Sequence, residues 1–184
     1  MSGKLFVISG ASGVGKGTVL SKVMAVRKDL AFSVSATTRP PRPSEEHGVH
    51  YYFVTDEEFQ DMIAKDQFLE YDGHAKAYYG TPLGQLEEKL ARGHVILDIE
   101  PKGAKIVHEK RPDAILIFIM PPSEQELERR LRGRGDTSED QIRIRMERAK
   151  WEMEQRSWYD YVVVNDDLDR CVEDILNIIA EKAD

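Results

Sequence analysis

Short apolar runs without alternation recur along the 184-residue chain, at residues 4–9, 94–99, 114–120 and 161–165. Consecutive hydrophobic positions over such lengths are expected of strands buried on both faces of a parallel sheet. Residues 32–35 offer a shorter fifth candidate. Between these runs the period lengthens. Ile142, Met146, Ala149 and Met153 recur at intervals of four and three, which lays one apolar stripe along a helix. Val172, Ile175, Leu176 and Ile179 do the same in a closing helix from Asp169. Helix starts carry capping-box spacing at Thr55 with Glu58, Ser123 with Glu126, and Ser138 with Gln141. Pro82 and Gly93 bracket a further helix over Leu83–Arg92. The alternation predicts an α/β fold, a parallel sheet flanked by helices.

Two regions break this rhythm. Residues 36 to about 81 are rich in Tyr, Pro, Glu and Gly and read as a small inserted subdomain. Residues from about 126 to 148 hold Arg129, Arg130, Arg132, Arg134, Arg143, Arg145 and Arg148 around Gly133 and Gly135, and read as a mobile helical lid. The core then comprises about 1–35, 82–125 and 149–184 of a single domain, a size that suits one continuous core.

Composition narrows the function. With 41% hydrophobic and 32% charged residues the chain has an ordinary soluble composition. No apolar run approaches the ~20 residues of a membrane span, and the N-terminal run is too short for a signal peptide. The single cysteine, Cys171, cannot form an internal disulfide and suits a reducing compartment, so a cytoplasmic protein without membrane partners is expected. Cys171 itself reads as a small buried hydrophobe. A net charge of −7 argues against nucleic acid as the main partner, whereas a local arginine cluster on an acidic protein suits a small polyanion. The five histidines show no metal-ligand pattern.

The strongest chemical signal follows the first apolar run. Gly10-Ala11-Ser12-Gly13-Val14-Gly15-Lys16 precedes a helical pattern and forms a phosphate-binding loop in the expected context. Its glycines let successive backbone N–H groups turn toward phosphate oxygens, and the helix N-terminus adds partial positive charge. Lys16 then reaches the outer phosphates. The usual hydroxyl residue after the lysine, a Mg²⁺ ligand, is replaced by Gly17, with Thr18 one place later. One residue is about a 100° rotation on a helix, so Thr18 does not simply take over. Gly-Lys-Gly-Thr resembles the loop of adenylate kinases, where nucleotide and water carry most of the metal's coordination.

A second signal is Phe32-Ser33-Val34-Ser35-Ala36-Thr37-Thr38-Arg39-Pro40-Pro41-Arg42-Pro43. Pro40-Pro41 favours polyproline II, which projects Arg39 and Arg42 from one side. Two guanidinium forks near tyrosine hydroxyls suit a phosphate monoester. Read alone, the same stretch equally suits a proline-rich ligand of an SH3-type domain.

With Glu46-His47-Gly48-Val49-His50-Tyr51-Tyr52-Phe53-Val54, Phe68-Leu69-Glu70-Tyr71, Tyr78-Tyr79-Gly80-Thr81, Val95-Ile96-Leu97-Asp98-Ile99-Glu100 and Val163-Val164-Asn165-Asp166-Asp167, the whole chain resembles the guanylate kinase family. The resemblance implies transfer of a phosphoryl group from ATP to GMP with Mg²⁺, and to dGMP as well, in purine nucleotide recycling. It implies that Ala11, Ser12, Gly13, Val14, Gly15, Lys16, Gly17, Thr18 and Asn165 bind ATP. Ser35, Arg39, Arg42, Tyr51 and Tyr79 would hold the GMP phosphate, and Glu70 and Thr81 would read guanine. A carboxylate can accept from guanine N1–H and the exocyclic amine together, whereas adenine would face it with a bare acceptor. Asp98 and Glu100 would complete the GMP side at a strand's C-terminal end. Lys16, Arg134 and Arg145 would be catalytic, with Arg130 and Arg148 in support. Arg129 and Arg132 read as a solvated helix face paired with Glu126, Glu128 or Glu139. Mg²⁺ would be held mainly by phosphates and water, with no direct side-chain ligand. Glu100 stands where the family more often has Asp, Lys102 where it has Gln, and Ala11 where it often has Pro. Two rivals remain: an adenylate kinase, favoured by Gly17-Thr18, and a guanylate-kinase-like module that binds phosphorylated protein segments without catalysis.

Overall fold

The computed structural model describes residues 3–74, 76–133 and 138–183. Five parallel strands form the main sheet: β1 (Leu5–Gly10), β2 (Ala31–Phe32), β7 (Val95–Asp98), β8 (Ile115–Met120) and β9 (Tyr161–Val164). Their order is β2-β7-β1-β8-β9. Side chains alternate across β1. Phe6 and Ile8 enter one core with Val19, Leu20 and Val23 of α1 (Lys16–Val26) and Cys171, Ile175 and Ile179 of α7 (Leu168–Ala183). Leu5 and Val7 enter the other core, with Leu86 and Leu90 of α3 (Leu83–Arg92) and Ala104 and Val107 of α4 (Pro101–Lys110). Burial on both faces is why the inner strands read as unbroken apolar runs.

β9 departs from that pattern. It lies at the sheet's edge, so Val163 is buried while Val162 and Val164 are 46% and 47% exposed. The candidate strand at 32–35 is also shifted. β2 pairs with β7 only as far as Phe32, and Ser33 N–H then donates to the Ile96 carbonyl at 2.8 Å. Beyond it the chain leaves for a second sheet.

That sheet has order β4-β3-β6-β5, from β3 (Ala36–Thr37), β4 (Tyr52–Phe53), β5 (Phe68–His74) and β6 (Ala77–Pro82). It packs with α2 (Asp56–Ala64) around its own small core of Ala36, Phe59 and Phe68, the two phenylalanine rings stacked at 4.5 Å. The capping box of Thr55 and Glu58 starts α2, and that of Ser138 and Gln141 starts α6 (Glu139–Glu154). α5 (Glu124–Arg132) is capped by Ser123 alone, because the Glu126 carboxylate pairs with Arg129 and Arg130 instead. The stripe on α6 packs inward as expected, with Ile142, Ala149 and Met153 buried. Position 148, the expected end of the lid, falls inside this continuous helix.

Register puts the chemistry on one edge. Ile8 lies beside Asp98 and Gly10 beside Ile119, so β1 delivers the glycine-rich loop and β7 delivers Asp98 to the same end of the sheet.

Candidate nucleotide site

The loop after β1 has the backbone its glycines predict. Gly13 and Gly15 have φ of 89° and 94°, the left-handed region that favours glycine. Gly15 is the N-cap of α1 and makes no side-chain cap, so the amides of the first helical turn are left for an anion. A Cβ on Gly13 would come within 2.6 Å of the Leu131 side chain, which shows how closely the loop sits on α5. Two side chains brace it. Asn165 donates its amide to the Val14 carbonyl at 2.8 Å, and Arg130 donates to the same carbonyl at 3.3 Å and to the Asn165 carbonyl at 3.0 Å.

Residues 10–18 line a recess of about 290 Å³ together with Glu100 and Glu152. A second cleft of about 270 Å³ adjoins it, lined by Lys16, Ser35, Tyr51, Glu70, Asp72, Tyr79, Asp98, Glu100 and Gly103 among others. Lys16 and Glu100 belong to both. The Lys16 ammonium is paired with the Asp98 carboxylate at the mouth of the cleft.

At the cleft's other end Glu70 is 5% exposed and accepts a hydrogen bond from the Thr81 hydroxyl, which is itself fully buried. Burial pushes the Glu70 carboxyl up to about 7, against the lowering effect of the Thr81 hydroxyl. The Asp72 carboxylate adds to the rise and the Lys110 ammonium opposes it. Gly103 on α4 makes room for this group, since a Cβ there would lie 2.5 Å from a Glu70 oxygen.

Arg39 and Arg42 meet by different atoms from those expected. The Arg39 guanidinium forms a fork on Glu45, with both contacts at 2.7 Å, and lies over the Tyr51 ring at 5.0 Å. Arg42 reaches Glu45 through its backbone N–H at 2.8 Å, while its side chain is exposed and does not line the cleft. The Arg39 fork holds the Glu45 carboxyl down at about 2. Sequence reasoning missed Glu45, Gly103 and Glu152. Only the first had a local signal, a carboxylate six residues from Arg39 across a Pro-Pro turn.

Among the arginines, Arg129 and Arg132 pair with Glu126, Glu128 and Glu139 as expected of a solvated face. Arg145 is half-buried on α6, and Arg148 pairs with Glu100 and Glu152. Arg134 lies outside the described residues. Among the described residues no group of three or more His, Cys, Asp or Glu could hold a metal ion, and no helix is long and apolar enough to cross a membrane. A Cβ on Gly17 would meet nothing within 4 Å, which leaves room for water where the usual loop places a hydroxyl.

A parallel sheet, a glycine-rich loop feeding a helix N-terminus and a second polar cleft at the same edge define a phosphate-loop nucleotide-binding protein. The guanylate kinase sequence profile matches residues 2–182. A guanylate kinase of Prochlorococcus marinus subsp. pastoris is 46% identical over 177 residues, covering 96% of each chain. One of Thermus thermophilus is 50% identical over 180 residues, 97% of this chain and 81% of the relative. A crystal structure of guanylate kinase from Anaplasma phagocytophilum superposes with a TM-score of 0.79 at 31% identity, over 99% of this chain and 87% of that one. The chain belongs to the guanylate kinase family, and it is an enzyme.

Proposed function

We propose that this enzyme transfers the γ-phosphoryl group of ATP to GMP, and to dGMP, in the cytoplasmic recycling of guanine nucleotides. The observation that carries the reading is the sharing of Lys16 and Glu100 between the loop recess and the cleft that holds Glu70. ATP binds along residues 11–18 with its adenine toward Asn165. GMP occupies the second cleft, with its base on Glu70 and Thr81. Its phosphate binds among Ser35, Arg39, Tyr51 and Tyr79, with the exposed Arg42 side chain turning in from outside the cleft to join them, and Asp98 and Glu100 lie on the side toward the donor. The second sheet is the GMP-binding subdomain, and the arginine-rich segment at about 126–148 is the lid.

A phosphate oxygen of GMP, already ionised near neutral pH, bonds to the γ-phosphorus as the bond to the β–γ bridging oxygen breaks, and ADP leaves. No protein base is needed, so alignment and charge neutralisation carry the rate. Lys16 exchanges Asp98 for the transferred group, and Arg134 and Arg145 close on it with water excluded. The roomy, hydroxyl-free position at Gly17 fits a Mg²⁺ ion that the nucleotide's phosphates and water would hold, with Asp98 and Glu100 placed to accept hydrogen bonds from that water. The chemistry such an ion would supply is neutralisation of the charge on the transferring phosphates. Incubation with ATP, Mg²⁺ and GMP should yield ADP and GDP in equal amounts, and chelation of the metal should stop both. ADP without GDP would contradict the reading.

Two smaller effects follow from Glu70. Burial pushes its carboxyl up to about 7, while guanine's two N–H donors favour the ionised form. Below that pH, GMP binding must expel a proton. GMP affinity is therefore expected to be flat above pH 7 and to weaken as pH falls, by up to about tenfold per unit. GMP's own phosphate also titrates, near pH 6, so the measurement is the pH profile of the GMP KM against that of Glu70→Gln, which keeps only the ligand's contribution. Gly103→Ala should displace the Glu70 carboxylate. It should raise the KM for GMP by about tenfold, a cost of about 1.4 kcal/mol, and leave the KM for ATP unchanged. Equal effects on both substrates would place Gly103 outside base recognition.

A further inference from the structure

Glu70 and Glu152 are the two buried ionisable carboxylates among the described residues. The first belongs to the base-reading end of the cleft. The second contacts neither Glu70 nor Thr81, yet it is 2% exposed on the last turn of α6 and lines the recess of the phosphate-binding loop. A carboxylate buried so deeply persists only when its oxygens are fully used.

They are used on both sides. One Glu152 oxygen accepts from the Ser12 backbone N–H, inside the loop, at 2.7 Å. The other accepts from Arg148 Nε at 2.9 Å, one helical turn earlier on α6. Arg148 also reaches the Glu100 carboxylate, at the N-cap of α4 and on the wall shared by both clefts. Ser12, Glu152, Arg148 and Glu100 thus form one chain of charge-assisted contacts across three elements. It runs from the donor loop, through the helix that leads out of the arginine-rich segment, to the acceptor side.

We propose that Glu152 is a positioning residue for phosphoryl transfer, orienting the Ser12 segment of the loop and the Arg148 guanidinium together toward the donor nucleotide. The Ser12 hydrogen bond holds the loop curled before a nucleotide arrives, so little reorganisation remains for binding. The Arg148 contact ties α6 to the same anchor, so the Arg148 guanidinium is held in a fixed relation to the loop. The proposal rests on the loop being the ATP site.

Glu152→Gln separates the two arms. Its single carbonyl oxygen can still accept from Ser12 N–H, but its NH₂ then opposes the Arg148 donors. Steady-state kinetics with ATP varied at saturating GMP, together with ADP binding by calorimetry, tests the proposal. For Glu152→Gln we expect kcat/KM for ATP to fall by about a hundredfold. The KM for GMP should stay within about twofold. Glu152→Asp should recover part of the loss by restoring the charge. Arg148→Ala combined with Glu152→Gln should be no worse than the poorer single variant, because the two act as one unit.

Wild-type kinetics in a folded Glu152→Gln would overturn the proposal, as would additive losses in the double variant. Failure of both Glu152→Gln and Glu152→Asp to fold would assign the residue to stability and overturn it equally. A wild-type enzyme that binds no ADP and turns over no acceptor would instead sink the donor-site reading, and this inference with it.

Discussion

The Glu70→Gln variant is expected to fold normally and to lose its preference for GMP, with kcat/KM for GMP reduced by about 10²- to 10³-fold. The amide keeps the size of the carboxyl and can still accept from the Thr81 hydroxyl, the side chain that donates to Glu70. It cannot accept from guanine N1–H and the exocyclic amine together. One of its hydrogen-bonding positions becomes a donor facing a donor, and a buried pair of that kind is costly. AMP, which presents a bare acceptor there, should gain in relative terms. Stability should move the other way. The folded Glu70 titrates at about 7 against 4.5 for an ordinary glutamate, so the native state binds the proton more tightly. Its contribution to stability is full below pH 4.5 and is lost as pH rises through 7. At pH 8 the neutral variant escapes the cost of burying the charge and should melt no lower than the parent. An unchanged GMP-to-AMP ratio would remove Glu70 from base reading.

The Lys16→Ala variant should show the largest kinetic loss, with kcat lowered by about 10²- to 10³-fold or more. The lysine is the cation that lines both clefts, and it extends from the loop itself. Folding should be spared. Lys16 and its partner Asp98 retain 21% and 28% side-chain exposure, so water can solvate the freed carboxylate, and partly exposed ion pairs of this kind contribute about 1 kcal/mol or less. Turnover measured beside a melting curve separates the two effects. Retained activity with normal melting would contradict the phosphate role of Lys16, whereas joint loss of activity and fold would mean that the pair with Asp98 is structural.

Much of this was legible because local chemistry and global fold agree. β1, β7 and β8 are buried on both faces, so their hydrophobic runs carry the signal of a parallel sheet. The loop was legible for a similar reason: Gly13 and Gly15 take positive φ where glycine is favoured. β9 was legible as a strand but not as an edge, because YVVV looks the same with one face exposed and only the strand order decides it. Arg39 and Arg42 were legible as a pair. That Glu45 organises them through a guanidinium fork on one and a backbone N–H on the other was not. Glu152 and Gly103 were invisible for a different reason. Glu152 acts on Ser12 from 140 residues away, and Gly103 acts by the absence of a side chain beside Glu70. No pattern within either segment records such a neighbour.

The most direct test of the account is a comparison of acceptors under one set of conditions. ADP formation would be followed with ATP and Mg²⁺ and with GMP, dGMP, AMP, CMP or UMP in turn. Rapid turnover is expected with GMP and dGMP and little with the other three. A preference for AMP would contradict the assignment of Glu70 and Thr81 and make Gly17-Thr18 the better guide. No turnover with any acceptor would contradict catalysis itself and turn attention to phosphopeptide binding in the same cleft.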